Sequence, residues 1–389
     1  MKKIILLIIS ASLVMLLLSG CMLVNKVNTQ PENNYTVALG LRPLPGDFLN
    51  WWFDQLKNKQ NGSNSIQSKK PLKLIATNDE IANTQQLLTQ STSQNPNPPF
   101  SYDLRNYNDV PPVGNQGQAN DCWAYSTVES LESAMLVQLG PSGISADYPF
   151  INDPNNPQLS VQFAAYNNYD WNLSPHELTG YYFISYQETN QDNGGNHFFA
   201  FYNLAVRGVP LSSDFPYEDS ADASYIQWDP TNGYWPQDLV KAQYAYVIPS
   251  AEWFYDNSYS YTDYIDTIQS AIMTYGAVAV DFTEYSDFPN YEYWQAPCSN
   301  WVYIPSSTAN PTSSGHAVIL IGWNDNGGTN YSGPVWILQN QWGSSWANNG
   351  YFMLPIITQE QYNDIGSNPQ AIGYWQIESN PGGMYVPAL

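Results

Sequence analysis

The sequence predicts an α+β fold for residues 99–389, because helical and strand-like patterns alternate there. After Cys122, apolar residues recur at helical spacing until Gly140-Pro141, which predicts that the helix ends there. The stretch "YIDTIQSAIMTY" has the same spacing and precedes the strand-like "GAVAVDF". Finally, "HAVILIGW", the turn residues "DNGG" and "PVWILQNQWG" predict a strand, a turn and a second strand. No internal repeat divides this region, so we expect one domain.

The N-terminus has the pattern of a secretion signal. A basic start precedes a mostly apolar run from Ile4 to Leu18, which is shorter than the roughly 20 residues that span a bilayer. The following "LSGC", ending at Cys21, resembles the bacterial lipobox. This resemblance implies that residues 1–20 are a lipoprotein signal peptide and that acylated Cys21 anchors the chain to a membrane outside the cytoplasm. A plain membrane anchor that happens to contain a cysteine is the alternative.

Charge is distributed unevenly along the chain. The net charge is −22, and only three of the twelve Lys and Arg residues follow residue 100. Nucleic acid is therefore excluded as an expected partner, because binding it needs clustered cations. The acidic excess favours solubility or, alternatively, an acidic habitat. Residues 21–98 carry a small positive charge and linker-like composition, which predicts a lipidated tether and a propeptide-like segment.

Cys122 is the residue that most needs a chemical explanation. The chain has three cysteines, far apart in sequence, so neither a disulfide framework nor a metal cluster is predicted. Cys122 stands at the expected start of a helix, where a thiolate is favoured. Of the three histidines, only His316 precedes an apolar strand that is followed by a polar orienting group, Asn340. If the two strands are antiparallel neighbours, Asn340 can bind the imidazole and fix its direction.

Five stretches, in order, resemble the papain-like cysteine peptidases. They are "SYDLRNYNDVPPVGNQG", "QGQANDCWAYS", "DNGGN" with "GVPLSSDFPYE", "GHAVILIGW" and "LQNQWGSSWANNGYFML". Together they span most of residues 99–389. The resemblance implies a two-lobed fold with a helical lobe, a β-barrel-like lobe and the active site in the cleft between them. It also implies a secreted thiol protease that acts on proteins or peptides without a metal or cofactor.

The resemblance assigns roles to individual residues. Cys122 would be the nucleophile and His316 the base, resting as a thiolate–imidazolium pair that Asn340 orients. Gln116, six residues before Cys122, would complete an oxyanion hole with the Cys122 backbone N–H. Trp342 would shield the His316–Asn340 hydrogen bond from water at the substrate site.

Two glycines complete the predicted substrate site, and one residue departs from the family pattern. Gly194 and Gly195 would present extended backbone to a substrate peptide. Asp121 precedes Cys122 where the family usually has serine. We expect its side chain to cap the helix, although its charge would oppose formation of the thiolate.

Two function classes remain open at this stage. The first is a lipid-anchored papain-type peptidase, with residues 22–98 masking the cleft until they are removed. The second is a non-catalytic surface protein, an adhesin or binding module on a peptidase fold. The presence of Cys122, His316, Asn340 and Gln116 together favours the first.

Overall fold

The computed structural model describes most of the predicted domain and a short part of the N-terminal segment. The described residues are 72–74, 98–166, 173–175, 182–184, 194–218, 236, 238–290, 302–368, 370–373, 375–379 and 384–389. The predicted signal peptide, Cys21, His176 and Cys298 lie outside these residues. Among those described, no helix combines the length and the apolar content needed to cross a membrane.

Helices and strands alternate along the described chain, as the α+β prediction requires. The helices are α1 (Cys122–Gln138), α2 (Gly140–Asp147), α3 (Val161–Tyr166), α4 (His197–Val206), α5 (Ala251–Asp256), α6 (Tyr261–Tyr275) and α7 (Gln359–Asp364). The strands are β1 (Leu72–Leu74), β2 (Ser101–Asp103), β3 (Leu173–Pro175), β4 (Tyr182–Ile184), β5 (Tyr244–Ile248), β6 (Val278–Tyr285), β7 (Pro311–Asn324), β8 (Val335–Gln339), β9 (Tyr351–Pro355) and β10 (Met384–Ala388). Short 3₁₀ helices occupy Leu104–Tyr107 and Ile377–Ser379.

Helix α1 is buried along nearly its whole length, although several of its residues are polar. A buried helix must satisfy its polar side chains, and α1 does so against neighbouring segments. Ser130 Oγ donates to Ala277 O at 2.6 Å, and the Glu132 carboxyl accepts from Leu159 N at 2.6 Å. These bonds hold α1 between the sheet and the segments that precede α3. The residue at its N-terminal end, Cys122, is therefore placed inside the molecule.

Gly140 ends α1, but Gly140-Pro141 also begins a second helix that the sequence did not predict. Gly140 has a φ of +64°, which only glycine adopts without strain, and this stops α1. Pro141 then occupies the first turn of α2, where its missing N–H costs nothing. The dipeptide Gly140-Pro141 therefore both ends α1 and begins α2.

An antiparallel eight-stranded sheet carries the other half of the domain. Its order is β1-β5-β10-β6-β7-β8-β9, and β2 pairs with β7. Within the described residues, the terminal strands β1 and β9 do not pair, so the sheet is open and the expected barrel-like closure is wrong. Barrel closure requires the two edges to meet in register. Here the outer edge of β9 instead makes a single bridge between Met353 and Val302.

Two apolar cores correspond to the two predicted lobes. One core joins the sheet to helices α5, α6 and α7 and includes Ile268, Val318 and Trp336. The other joins α1, α3 and α4 to residues of strands β5, β6, β7 and β10 and includes Trp123 and Phe199. The fold is therefore α+β and two-lobed, and α1 packs against strand β7 where the lobes meet.

Candidate active site

A histidine and an asparagine lie together where β7 and β8 run side by side. Strands β7 and β8 are antiparallel, with Ile319 opposite Gln339. His316 lies within β7, which begins five residues earlier than the sequence suggested, and Asn340 directly follows β8. The distance from His316 Nε2 to Asn340 Oδ1 is 2.9 Å. The hydrogen bond predicted from the strand–turn–strand pattern is present.

The neighbours of Asn340 identify the atom that donates in this hydrogen bond. The backbone N–H of Gln341 donates to Asn340 Oδ1 at 2.9 Å, so the side-chain oxygen must face both partners. His316 Nε2 therefore carries the proton and donates to the same oxygen. This leaves the lone pair of a neutral imidazole on Nδ1, which makes no hydrogen bond to any described residue. Nδ1 is the atom available to accept a proton.

Aromatic rings enclose the imidazole of His316. Trp342 lies 4.7 Å from it between ring centroids, at an interplanar angle of 31°, and Phe282 and Phe288 approach from other sides at 5.9 and 6.3 Å. Burial lowers the pKa of His316 to about 4, and the bond to Asn340 opposes this shift. Burial thus favours the neutral ring at neutral pH. An imidazolium there needs a neighbouring thiolate to offset the cost.

Cys122 is the first residue of α1 and is fully buried. The expected capping of this helix by Asp121 is wrong, because its side chain makes no cap hydrogen bond. Its carboxyl is instead taken by Tyr217, whose hydroxyl oxygen lies 2.8 Å from Asp121 Oδ2. The Asp121 side chain therefore does not cap the N–H groups in the first turn of this helix, as the sequence had suggested it would.

Gln116 lies in the loop that leads to Cys122, buried at 1% exposure. Its Nε2 donates to Ala119 O at 2.7 Å. An amide nitrogen has two N–H groups, so this bond fixes the orientation of the side chain and leaves one donor. The residue predicted for the oxyanion hole is therefore held by its own loop rather than by solvent.

Backbone pairing brings the Gln116 loop to the strand that precedes Trp342. Gln116 N donates to Gln341 O at 2.8 Å, and Gly343 N donates to Gly114 O at 2.9 Å. The side chain of Gln341 then reaches β7, where its Nε2 donates to Ala317 O at 2.7 Å. One residue, Gln341, thus connects the loop before the cysteine to the residue beside the histidine.

The structure brings the cysteine helix and the histidine strand together at the meeting of the two lobes. Ala317, the neighbour of His316, belongs to the same apolar core as Cys122. No hydrogen bond joins His316 Nδ1 to the Cys122 sulfur in this state, since Nδ1 has no partner among the described residues. The arrangement is a buried thiol and an oriented neutral base on facing elements.

The glycine pair predicted for substrate binding lies against the cysteine helix. Gly194 and Gly195 are both buried, and a Cβ at Gly195 would overlap the indole of Trp123. Close packing on the residue after Cys122 is therefore a sufficient reason for glycine at 195. The role of the pair in binding substrate stays a prediction.

Two further residues near Cys122, His197 and Tyr217, make polar contacts that were not predicted. His197 Nε2 lies 2.6 Å from Ser126 Oγ, one turn along α1 from Cys122, and burial lowers the His197 pKa to about 3. Tyr217, in the "DFPYE" stretch, contacts both Asp121 and the Gln116 carbonyl. This stretch belongs to the segment "GVPLSSDFPYE" that resembles the family, but nothing in its spacing indicates which residues it contacts.

Comparison with known sequences gives the family. The sequence model of the family described as "Papain family cysteine protease" matches residues 98–146 and 159–371. The chain belongs to this family. It is 25% identical over 269 residues to a viral cathepsin of Epiphyas postvittana nucleopolyhedrovirus, covering 69% of this chain and 62% of the relative. A viral cathepsin of Rachiplusia ou multiple nucleopolyhedrovirus is 28% identical over 269 residues, with the same coverage. The chain thus spans about three-fifths of these relatives.

A solved structure also aligns along most of the chain. It is the digestive procathepsin L2 proteinase from Tenebrio molitor larval midgut, which is 20% identical with a TM-score of 0.48. The alignment covers 88% of this chain and 90% of that structure.

Proposed function

We propose that residues 99–389 hydrolyse peptide bonds in proteins or peptides, with Cys122 as nucleophile and His316 as base. The observation that carries this proposal is the orientation of His316. Asn340 Oδ1 accepts from both His316 Nε2 and Gln341 N, which leaves the Nδ1 lone pair of His316 free to act as the base. Membership of the papain family supports the same assignment.

The proposed reaction has two halves. In the first, the Cys122 thiol passes its proton to His316 Nδ1, and the sulfur attacks the peptide carbonyl carbon to form a tetrahedral intermediate. Imidazolium then protonates the departing amine as the C–N bond breaks, which leaves a thioester on Cys122. In the second half, His316 takes a proton from water, the hydroxide attacks the thioester, and the free acid and the thiol are released.

An oxyanion hole is proposed at the start of α1. The N–H groups in the first turn of a helix have no acceptor within the helix, so the Cys122 N–H suits a developing negative charge. The remaining Nε2 N–H of Gln116 is the second donor, and its bond to Ala119 O holds it in advance. Pre-arranged donors stabilise the intermediate without reorganisation during the reaction.

A non-catalytic binding protein is the second candidate, and one observation favours it. Cys122 has no exposed surface, whereas a nucleophile must meet its substrate. Labelling distinguishes the two functions. An epoxide inhibitor of papain-like enzymes should add one mass increment to the wild type and none to Cys122→Ala, while Cys298→Ser serves as a thiol control that keeps the label. A folded chain that is neither labelled nor active on denatured casein would overturn the peptidase proposal.

We also propose that acylated Cys21 anchors the chain to a membrane outside the cytoplasm. The lipobox-like "LSGC" supports this. In a bacterial host, the wild type should partition with membranes and incorporate labelled fatty acid, and Cys21→Ser should do neither. Equal partitioning of the two chains would contradict it.

The N-terminal segment is proposed to restrain the peptidase domain until it is removed. Its described part, β1, pairs with β5, which shows that the segment contacts the domain. Strands β10 and β6 separate β5 from the histidine strand, so masking of the site would fall to other residues of 22–98. A chain starting at residue 98 should cleave casein faster than the full chain; equal rates would remove this proposal.

A further inference from the structure

Tyr217 contacts two separate parts of the site described above. Its hydroxyl oxygen lies 2.9 Å from the Gln116 carbonyl oxygen and 2.8 Å from Asp121 Oδ2. Its ring also packs edge-on against Tyr125 of α1, with centroids 5.0 Å apart. One side chain from a segment about 100 residues further along the chain therefore connects the glutamine loop to the start of the cysteine helix.

The loop is held at two consecutive carbonyls. Tyr125 Oη donates to Asn115 O at 2.9 Å, next to the carbonyl of Gln116 that Tyr217 contacts. Gln116 supplies the proposed oxyanion donor, and Asp121 immediately precedes the nucleophile. Tyr217 thus holds the Gln116 loop at a fixed distance from the start of α1, although it belongs to neither the loop nor the helix.

The protons on these groups can be counted. A tyrosine hydroxyl has one proton to donate, while the Gln116 carbonyl and an ionised Asp121 carboxylate can only accept. Both short contacts are fully satisfied only when Asp121 carries a proton. Asp121 then donates to Tyr217 Oη, and Tyr217 donates to Gln116 O. Complete burial of Asp121 favours the same protonated form, because an ionised carboxylate loses its hydration there.

We propose that Tyr217 is a positioning residue that fastens the Gln116 loop to the Cys122 helix and keeps Asp121 uncharged beside the nucleophile. This rests on the proposed peptidase function. It explains how an acidic residue occupies the position before the thiol without opposing the thiolate. The sequence alone left that conflict open.

Among the described residues, α1 supplies three further titratable groups near this pair. They are Tyr125, which packs on the Tyr217 ring, Glu129, which accepts from Gly114 N at 3.3 Å, and Cys122 itself. Burial raises the pKa of Glu129 well above its usual value, so it too is favoured in the neutral form. Burial also raises the pKa of the Tyr217 hydroxyl well above its usual value, so Tyr217 keeps its proton.

The first experiment compares Tyr217→Phe with a matched control, Tyr362→Phe. The Tyr362 hydroxyl also donates to a backbone carbonyl, Tyr259 O at 2.8 Å, but in the corner formed by α5 and α7. We expect Tyr217→Phe to lower kcat about tenfold with KM within about twofold, which is the effect of losing one hydrogen bond in the transition state. Tyr362→Phe should retain the wild-type kcat. Equal kcat values for wild type and Tyr217→Phe would overturn the positioning role.

The second experiment follows the Cys122 thiol by its alkylation rate with iodoacetamide as pH is varied. In Tyr217→Phe, Asp121 loses the acceptor for its proton and ionises at lower pH, so the thiol midpoint should move upward. In the Asp121→Asn background, the same Tyr217→Phe change should produce no shift. An identical shift in both backgrounds would show that Asp121 does not carry the effect and would overturn the proposal.

A third measurement does not depend on the Tyr217 variant folding. The infrared difference spectrum of wild type minus Asp121→Asn, at mildly acidic pH, should contain the C=O stretch of a protonated carboxylic acid. A carboxylate band alone would overturn the uncharged state. The thiol titration and the infrared band require no hydrolysis, so they test the role of Tyr217 even if the chain is not a peptidase. Failure of the proposed peptidase function would be seen separately, as the absence of epoxide labelling in the wild type.

Discussion

The indole of Trp342 covers the imidazole of His316, with ring centroids 4.7 Å apart. This contact covers one side of the buried His316–Asn340 pair. We expect two consequences: the indole keeps water away from the hydrogen bond, and it holds the imidazole in an environment that disfavours its charged form.

Trp342→Ala should therefore raise the pKa of His316. Burial is the main cause of its depression to about 4, so admitting water should move the pKa upward towards 6.5, as followed by NMR titration of the ring protons. Trp375→Ala is the control, since Trp375 packs against the same core and has no ring contact with His316 among the described residues. A His316 pKa that stays near 4 in Trp342→Ala would show that the indole does not exclude water.

Asn340→Ala should lower kcat about tenfold to a hundredfold, with little change in KM. The substitution leaves His316 Nε2–H and Gln341 N–H without their shared acceptor and allows the ring to turn. An unpaired buried donor costs about 1–3 kcal/mol, which corresponds to that range of rates. The exposed Asn330, which bonds the Val302 backbone, gives a matched control as Asn330→Ala. Unchanged kcat in Asn340→Ala would contradict the orienting role.

Gln116→Ala should lower kcat roughly 10²–10³-fold, because it removes one pre-arranged oxyanion donor. Gln118→Ala, an exposed glutamine two residues away in the same loop, should have little effect. The measurement is kcat on a peptide substrate for the two variants and the wild type. Comparable losses in both variants would indicate that the loop, rather than the amide, was disturbed.

The sequence predicted the His316–Asn340 contact because two consecutive apolar strands joined by the turn residues "DNGG" were expected to pair with each other. It did not predict the contact of Tyr217 with Asp121, because that depends on how a turn 96 residues away packs on the lobe. The expected cap failed for the same reason: Tyr217 takes the carboxyl that the helix start would otherwise use. The predicted closure of the sheet into a barrel was also wrong, because the pattern of apolar residues in each strand does not determine which strands lie at the sheet edges or whether those edges pair.

Stability should be greater at pH 5 than at pH 8, because at least five buried carboxyls among the described residues favour their protonated forms. Burial raises the pKa of Glu132, Asp281 and Glu284 to about 8, that of Glu378 to about 7 and that of Glu129 well above its usual value. A raised carboxyl pKa gives stability that is complete below the unfolded value of about 4 and is lost as pH rises through the folded pKa.

The buried histidines act in the opposite direction but are fewer. The pKa values of His197 and His316 are lowered to about 3 and 4, so their contribution is present above about 6.5 and lost as pH falls. With at least five carboxyls against two imidazoles, the melting temperature should fall between pH 5 and pH 8. Asp281→Asn should flatten this dependence, while the exposed Glu360→Gln should leave it unchanged. A melting temperature that rises over this range would refute the expectation.

The pairing of β1 with β5 should protect a sheet edge. Leu72, Lys73 and Leu74 lie opposite Val247, Tyr246 and Ala245, while β10 occupies the other side of β5. Removing residues 22–97 therefore exposes backbone N–H and C=O groups along β5, and an unpaired edge is a template for association with another chain.

A chain starting at residue 98 should consequently associate at lower concentration than the full chain, as measured by light scattering. A synthetic peptide of residues 66–80 added in trans should reverse this by restoring the strand, whereas the same peptide with Lys73→Pro should not, because proline cannot complete the ladder and disfavours the extended pairing. If both peptides restored the monomer equally, side-chain charge rather than strand pairing would be responsible. If neither did, β1 would not be the element that covers this edge. The same truncated chain is also expected to cleave casein faster. Its light scattering and its activity must therefore be measured on the same sample, because association would lower the concentration of active chains and hide the gain in rate.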